Sequence, residues 1–135
     1  RQCTRSRCYR DYWNFGGRLL IANKMQDLLA TQVVSLVNSS GTAKVGLGGN
    51  STFPSQTDLD IPISGATTTV VASKSDENVV QVKITVAGSS ISGKVIREVG
   101  VFDSSNNMLL RQNFTGIGPF SSTTTVEIFI FLEVE

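Results

Sequence analysis

The chain has no histidine among its 135 residues. This absence excludes Ser-His-Asp and Cys-His catalysis and most zinc sites. Long apolar runs are also missing, because polar residues interrupt the longest candidate, and a transmembrane helix is therefore excluded. Charged residues make up only 17% of the chain, while apolar residues make up 40% and Ser, Thr and Gly are abundant. This balance is typical of an all-β protein with many short turns.

Cysteine occurs only twice, at Cys3 and Cys8. The pair could close a small disulfide loop or supply half of a four-ligand metal site, but we favour two free thiols, with a disulfide second outside a reducing cytosol. Carboxylates are the remaining candidates for acid–base chemistry. Asp58 and Asp60 are close in sequence, yet their proline-containing loop implies no apolar pocket that would raise a pKa. We therefore predict no catalytic site, no metal and no cofactor.

The glycine-rich stretch GLGGN, residues 46–50, has the composition of a phosphate-binding loop. The Lys-Ser/Thr ending of such a loop is missing, and no helical pattern begins at Asn50. We interpret these glycines as flexible backbone where a strand ends.

Positive charge is concentrated at the N-terminus. Five arginines against Asp11 give residues 1–18 a net charge of +4, which leaves −3 for the rest of a chain whose total is +1. Gly16 and Gly17, near the end of this stretch, are interpreted as a hinge. We therefore divide the chain into a basic aromatic arm, residues 1–17, and a single β-sandwich domain, residues 18–135.

Aromatic residues alternate with the arginines of the arm, namely Tyr9, Tyr12, Trp13 and Phe15. This composition occurs in protein–protein interfaces and also in proteins that bind single-stranded nucleic acid. We favour docking on a protein subunit, because nothing beyond Arg18 extends the basic track. The arm is expected to become ordered only against a partner.

One amphipathic helix is predicted over residues 18–38, where apolar residues recur at steps of three and four. We expect them to form a single buried stripe. Its members are Ile21, Met25, Leu28, Leu29, Val33, Leu36 and Val37.

The rest of the chain alternates apolar and polar residues with the period of strands. In the last run, TTTVEIFIFLEVE, the residues Val126 and Ile128 begin one face, while Phe129 and Phe131 lie on the other face among glutamates. These two rings need cover from a second layer or from another subunit. The fold we predict is mainly β, an antiparallel β-sandwich with the helix packed near its N-terminal end.

Three charges, Arg97, Glu98 and Arg111, interrupt the apolar runs of a predicted hairpin whose turn is DSSNN. If Ser105 is the centre of the turn, Glu98 lies opposite Gln112. If the loop has four residues, Glu98 and Arg111 become diagonal neighbours within salt-bridge reach. Both registers give Glu98 a polar partner, so we interpret the three charges as a structural polar cluster and not as an active site.

The segment IREVGVFDSSNNMLLRQNF resembles the hairpin of phage tail-fibre and tail-collar type proteins. In that family an extended Arg/Lys-Glu-x-Gly-x-Phe-Asp segment precedes a turn and a hydrophobic strand that ends in Arg. The matching residues are Arg97, Glu98, Gly100, Phe102, Asp103, Leu110 and Arg111. The stretch VGLGGNSTFPSQTDLDI is similar to the family's Gly-rich strand end followed by Pro and Asp, at Gly46, Gly48, Pro54 and Asp58.

The resemblance implies a non-enzymatic structural component of the virion, in the tail, fibre or baseplate of a tailed virus. It implies a symmetric homo-oligomer whose partners are copies of itself and other virion proteins. We expect no membrane partner and do not expect nucleic acid as a partner. The expected interface residues are Tyr9, Tyr12, Trp13, Phe15, Phe129 and Phe131.

The alternative is a host-attachment module on the particle that binds a receptor, either carbohydrate or protein, through polar loops. The candidate residues are Asn50, Phe53, Asn106 and Asn107. Because no aromatic stacking residue beyond Phe53 accompanies these loops, the sequence favours the structural role.

Overall fold

A computed structural model describes residues 22–134 of the chain. Within that range one α-helix precedes six strands, and a short 3₁₀ turn at Gly88–Ser90 separates the third strand from the fourth. The elements are α1 Asn23–Asn38, β1 Thr42–Gly46, β2 Thr68–Asp76, β3 Val79–Ala87, β4 Ile96–Phe102, β5 Met108–Ile117 and β6 Thr125–Glu133. No helix within residues 22–134 has the length and hydropathy that crossing a membrane requires.

The strands form two three-stranded antiparallel sheets. Sheet A has the order β1-β4-β5 and sheet B has the order β2-β3-β6. Side chains from both sheets and from α1 form one core cluster. The predicted class, a mainly β antiparallel sandwich with one N-terminal helix, is therefore confirmed.

The core lies between the inner faces of the two sheets. Alternate residues of β3 point into it, and Val80, Val82 and Ile84 have no exposed surface. Sheet A contributes Val99 and Val101 from its central strand, also without exposed surface. β-Branched side chains suit these positions because they pack well on a pleated surface.

The helix packs along the free edge of β2, and this edge packing corrects the prediction of a single buried stripe. Asn38 bonds both backbone groups of Ala72, donating to its oxygen at 2.8 Å and accepting from its nitrogen at 2.9 Å. Ala30 and Val37 are buried and Val33 is half-buried, as expected for the inward side. The other predicted members are exposed by 38–56%, namely Met25, Leu28, Leu29 and Leu36.

The physical reason is the shape of the surface that the helix contacts. A strand edge is narrower than a sheet face, so it covers only a thin strip of the helix, centred on Ala30 and Val37. α1 begins at Asn23 in the structure, and the predicted residues 18–21 lie outside the described range, as do Cys3, Cys8 and the whole arm.

The outer faces of the two sheets differ in what covers them. A loop between β1 and β2 folds back over the outer face of sheet A, where it buries Leu59 against Gly100 and leaves Phe102 with no exposed surface. The end of this loop also pairs with β1, since Ile63 N–H donates to Val45 O at 2.9 Å. Within residues 22–134, no element lies over the outer face of sheet B in the same way.

Candidate functional site

A buried ion pair lies under the loop that covers sheet A. Arg111 Nη2 donates to Glu98 Oε2 at 2.7 Å, and both side chains are 0% exposed. Glu98 lies opposite Asn113 on the neighbouring strand, which makes Arg111 its diagonal neighbour. This contact is the one expected for the four-residue register.

The hairpin combines the two registers that the sequence left open. At its tip Phe102 pairs with Met108, as a turn centred on Ser105 requires. An irregularity between Val101 and Phe102 then shifts the pairing by one residue, and the body of the hairpin follows the other register. The extra residue in β5 thus rotates Arg111 onto the face of Glu98.

Glu98 and Arg111 also form hydrogen bonds with the loop that covers sheet A. Glu98 accepts from the N–H groups of Asp60 at 3.2 Å and Ile61 at 3.1 Å. Arg111 Nη1 donates to Asn50 O at 2.9 Å and to Thr52 Oγ1 at 2.7 Å, and its Nη2 also contacts Asp60 Oδ2 at 3.3 Å. Glu98 therefore supplies partners for part-buried N–H groups of the loop, and Arg111 fixes the loop at Asn50 and Thr52.

Gly46 and Gly48 make room for this arrangement. A Cβ atom at Gly46 would collide with Glu98 Oε1 and the Ile61 carbonyl, and one at Gly48 would collide with Asp60. The GLGGN stretch is thus explained by close approach of the loop to Glu98. Our interpretation as flexible backbone missed this reason, although Gly46 pairs directly with Glu98 between β1 and β4.

The remaining charges of the sequence analysis do not join into one site. Arg97 is exposed and its guanidinium lies beside Gly116 of β5, apart from the ion pair. Asp58 pairs with Lys44 at 3.4 Å and is half exposed, whereas Asp60 contacts Arg111. Asp58 and Asp60 thus have different partners, which is not the arrangement of an acid–base pair.

Metal ligands do not come together in the described part of the chain. Among residues 22–134, no group of three or more Cys, Asp or Glu side chains could hold a metal ion.

Of the four candidate receptor residues, Asn50 and Phe53 belong to the loop over sheet A, and Asn106 and Asn107 lie between β4 and β5. Asn50 is fixed by the buried cluster, since its N–H donates to Asp60 Oδ2 at 3.1 Å and its carbonyl accepts from Arg111. Phe53 is 53% exposed and lines an open groove of about 320 Å³. The groove runs between the loop and β5, and its residues are Thr52, Phe53, Pro54, Gln56, Met108, Leu109, Leu110 and Arg111.

Two polar atoms of residues that line this groove have no hydrogen-bond partner among the described residues. They are Gln56 Oε1, an acceptor, and Arg111 Nε, a donor, and both are buried. Buried polar groups without a partner are rare in proteins.

Asn106 and Asn107 belong to the hairpin tip. Asn106 has a φ of 63°, a left-handed conformation that asparagine tolerates in turns. Asn107 donates to Asp103 from its backbone at 2.9 Å and from its side chain at 3.1 Å. These bonds, with the one from Ser105 N–H, lower the pKa of Asp103. The tip is therefore an ordered turn held by its own side chains.

The outer face of sheet B exposes large apolar side chains within residues 22–134. Phe129 is 47% exposed, Phe131 is 63% exposed and Val71 is 58% exposed. Lys83 lies between Val71 and Phe129 in the strand register, and it pairs with Glu127 at 3.3 Å. We call Val71, Lys83, Glu127, Phe129, Phe131 and Glu133 the phenylalanine face.

The sequence analysis expected this exposure of Phe129 and Phe131. Its other interface candidates, Tyr9, Tyr12, Trp13 and Phe15, lie outside the described residues. The second exposed apolar surface, on α1, was not predicted. Helical periodicity shows which residues share a side of the helix, but it does not show how wide the contact between the helix and the sheet is.

The chain matches no protein-family model and no curated protein.

Proposed function

We propose that this chain is a non-enzymatic structural subunit of a virus particle, in the tail, fibre or baseplate of a tailed virus. It assembles through contacts with copies of itself and with other virion proteins. The observation that carries this proposal is the phenylalanine face. A strand that already commits its inner side chains to a core also presents Phe129 and Phe131 to solvent, 47% and 63% exposed. Exposed apolar patches of this kind mark interaction surfaces.

The helix supports the same proposal. Met25, Leu28, Leu29 and Leu36 are all exposed on one side of α1. A surface helix that buries one stripe normally has polar residues opposite it. A second apolar side therefore favours contact with another protein.

The residues that carry the family resemblance have a different role. Glu98, Arg111, Gly46 and Gly48 all belong to the buried cluster that fixes the loop on sheet A. These motif residues therefore stabilise the fold, and they support the proposal only through the fold. The surfaces, and not the motif, are where assembly is to be tested.

The test is the mass of the purified chain in solution, measured by light scattering after size exclusion. We expect a symmetric oligomer, and we expect Phe129→Ser combined with Phe131→Ser to shift it to smaller species with little change in melting temperature. Phe53→Ser is the matched control, because Phe53 is similarly exposed on the loop that covers sheet A, and it should leave the oligomer intact. A wild-type chain that stays monomeric at all concentrations would contradict the proposal.

A second candidate function is host-receptor binding by the groove beside Phe53. The observation that favours it is the combination of an exposed aromatic wall with a buried donor and a buried acceptor that lack partners. A sugar hydroxyl both donates and accepts, and sugar rings stack on aromatic side chains. Glycan-array binding that is lost in Phe53→Ala and kept in Phe131→Ala would support this function. Equal binding by both variants would count against it.

A further inference from the structure

The phenylalanine face carries negative charge as well as exposed rings. Glu127 and Glu133 flank Phe129 and Phe131 on the same side of β6. Glu133 lies near the β2–β3 turn, because it pairs with Val79 and the next residue, Val134, donates to Asn78 O at 2.8 Å. Two further carboxylates, Asp76 and Glu77, belong to this turn.

Apart from Glu127, these carboxylates lack cationic partners within the described part of the chain. The ion pairs among residues 22–134 use other acids, and only Glu127 of this group is paired, to Lys83. A partner for the phenylalanine face should therefore combine aromatic side chains with positive charge. A second phenylalanine face does not meet this requirement, because it would bring glutamates against glutamates.

The N-terminal segment of this chain has the complementary composition. Residues 1–21 contain five arginines and one aspartate, a net charge of +4, with four aromatic residues among them. Residues 22–135 contain seven basic and ten acidic residues, a net charge of −3. The excess of each sign therefore lies in a different part of the chain.

The start of α1 lies toward the end of β2 that carries Asp76, because Asp27 pairs with Lys74 whereas Asn38 bonds Ala72. Crossing from β2 to β6 requires two strand spacings, about 10 Å. A segment of 21 residues can extend to roughly 70 Å, which reaches either the same copy or a neighbouring one.

We propose that residues 1–21 cover the phenylalanine face. The aromatic side chains of the segment pack on Phe129 and Phe131, and its arginines pair with Glu133 and with the carboxylates of the β2–β3 turn. The choice of a neighbouring copy as the source of the segment rests on the proposed function, in which subunits assemble through mutual contacts.

Trp13 gives a direct readout, because it is the only tryptophan among the 135 residues. Its emission wavelength and its quenching by acrylamide report whether the segment is covered. We expect Trp13 to be protected in the wild type, and to lose that protection in Phe129→Ser combined with Phe131→Ser. Phe53→Ser should keep it. Glu133→Lys leaves the apolar residues in place and should weaken the protection by charge alone, as should added salt.

Unchanged quenching of Trp13 in both the phenylalanine and the Glu133→Lys variants would overturn the proposal, and so would a wild-type Trp13 that is fully accessible. Dilution series with light scattering on the same samples identify the source of the segment. Protection that disappears as the oligomer dissociates assigns it to a neighbouring copy. Protection that persists in a monomer overturns that assignment.

These outcomes separate this inference from the proposed function. An oligomer in which the quenching of Trp13 does not depend on the phenylalanine face would contradict this inference and support the proposed assembly. A chain could instead be monomeric at every concentration, with Trp13 protected by its own phenylalanine face. This result would contradict the proposed assembly and support the inference that residues 1–21 cover the face.

Discussion

The outer faces of sheet A and sheet B show two solutions to the same problem. Both sheets bury their inner faces in one core, and both carry a phenylalanine on the opposite side. Phe102 of sheet A is 0% exposed, whereas Phe131 of sheet B is 63% exposed. The difference lies in the loop between β1 and β2, which covers only sheet A.

Covering an apolar face from within the chain has a polar consequence. A loop lacks the repeating hydrogen bonds of a strand, so its buried backbone groups need other partners. Glu98 and Arg111 supply them, at Asp60, Ile61 and Asn50. The ion pair on the outer face of sheet B, Lys83 with Glu127, is exposed and holds no loop over the sheet among residues 22–134, so the rings of Phe129 and Phe131 stay available for a partner.

The largest expected effect separates the two phenylalanines. Phe102→Ala should lower the free energy of unfolding by about 3–5 kcal/mol, because it leaves a cavity under the loop. Phe131→Ala should change it by less than about 0.5 kcal/mol, since a solvent-exposed ring loses little. Chemical denaturation of both variants measures the difference, under conditions where the chain is unassembled. Equal costs for the two would contradict the comparison.

Loss of the ion pair between Glu98 and Arg111 should lower the free energy of unfolding almost as much as loss of the Phe102 ring. Arg111→Ala leaves Glu98 buried without its partner, which costs about 3–5 kcal/mol in comparable cases. Arg97→Ala, one strand position from Glu98 but exposed, should stay within about 0.5 kcal/mol of the wild type. Urea titrations of the two arginine variants test this. A loss below about 1 kcal/mol for Arg111→Ala would show that the loop is held by other contacts.

Two adjacent glycines give a smaller and sharper contrast. A Cβ atom at Gly48 would collide with Asp60 and approach Glu98 Oε2 within 2.8 Å, while one at Gly49 meets nothing within 4 Å. Gly48→Ala should therefore cost roughly 1–3 kcal/mol by overpacking. Gly49→Ala should be neutral. Thermal melts of the pair decide the point, and a neutral Gly48→Ala would mean that the loop does not approach Glu98 so closely.

The smallest effect is expected at the hairpin tip, on the covered side of the comparison. Hydrogen bonds from Asn107 and Ser105 lower the pKa of Asp103 from its usual 3.8. The stabilisation is complete above that value and is lost as the pH falls through the lower, folded pKa. Stability of Asp103→Ala should accordingly depend less on pH than that of the wild type in this acidic range. Identical profiles would show that the tip contributes nothing.

Much of the fold could be predicted from periodicity. The alternation along β3 and β6 identified which side chains enter the core and which rings face away, because a strand exposes residues with a period of two. The turn at Asp103 to Asn107 followed from residue types. The end of the helix at Asn38 was predicted correctly, whereas Ala22, inside the predicted range, is an extended N-cap and the helix begins at Asn23. The exposure of Leu28 and Met25 was not predicted, since the sequence does not say that α1 packs on a strand edge.

The candidate site was predictable only in part. Glu98 and Arg111 lie on paired strands, so their contact followed from the register. Asp60 joins them from a loop without any period, 38 residues from Glu98 and 51 from Arg111 in sequence. The glycines at positions 46 and 48 were the available signal, because each leaves space where a side chain from another strand can enter.

The most direct test compares backbone hydrogen exchange of the unassembled and the assembled protein. We predict that amides of β6, an edge strand of sheet B, gain protection on assembly, while β4, the central strand of sheet A, is equally protected in both states. A β6 whose exchange is unaffected by assembly would contradict this prediction, because the phenylalanine face would then have no partner in the assembly.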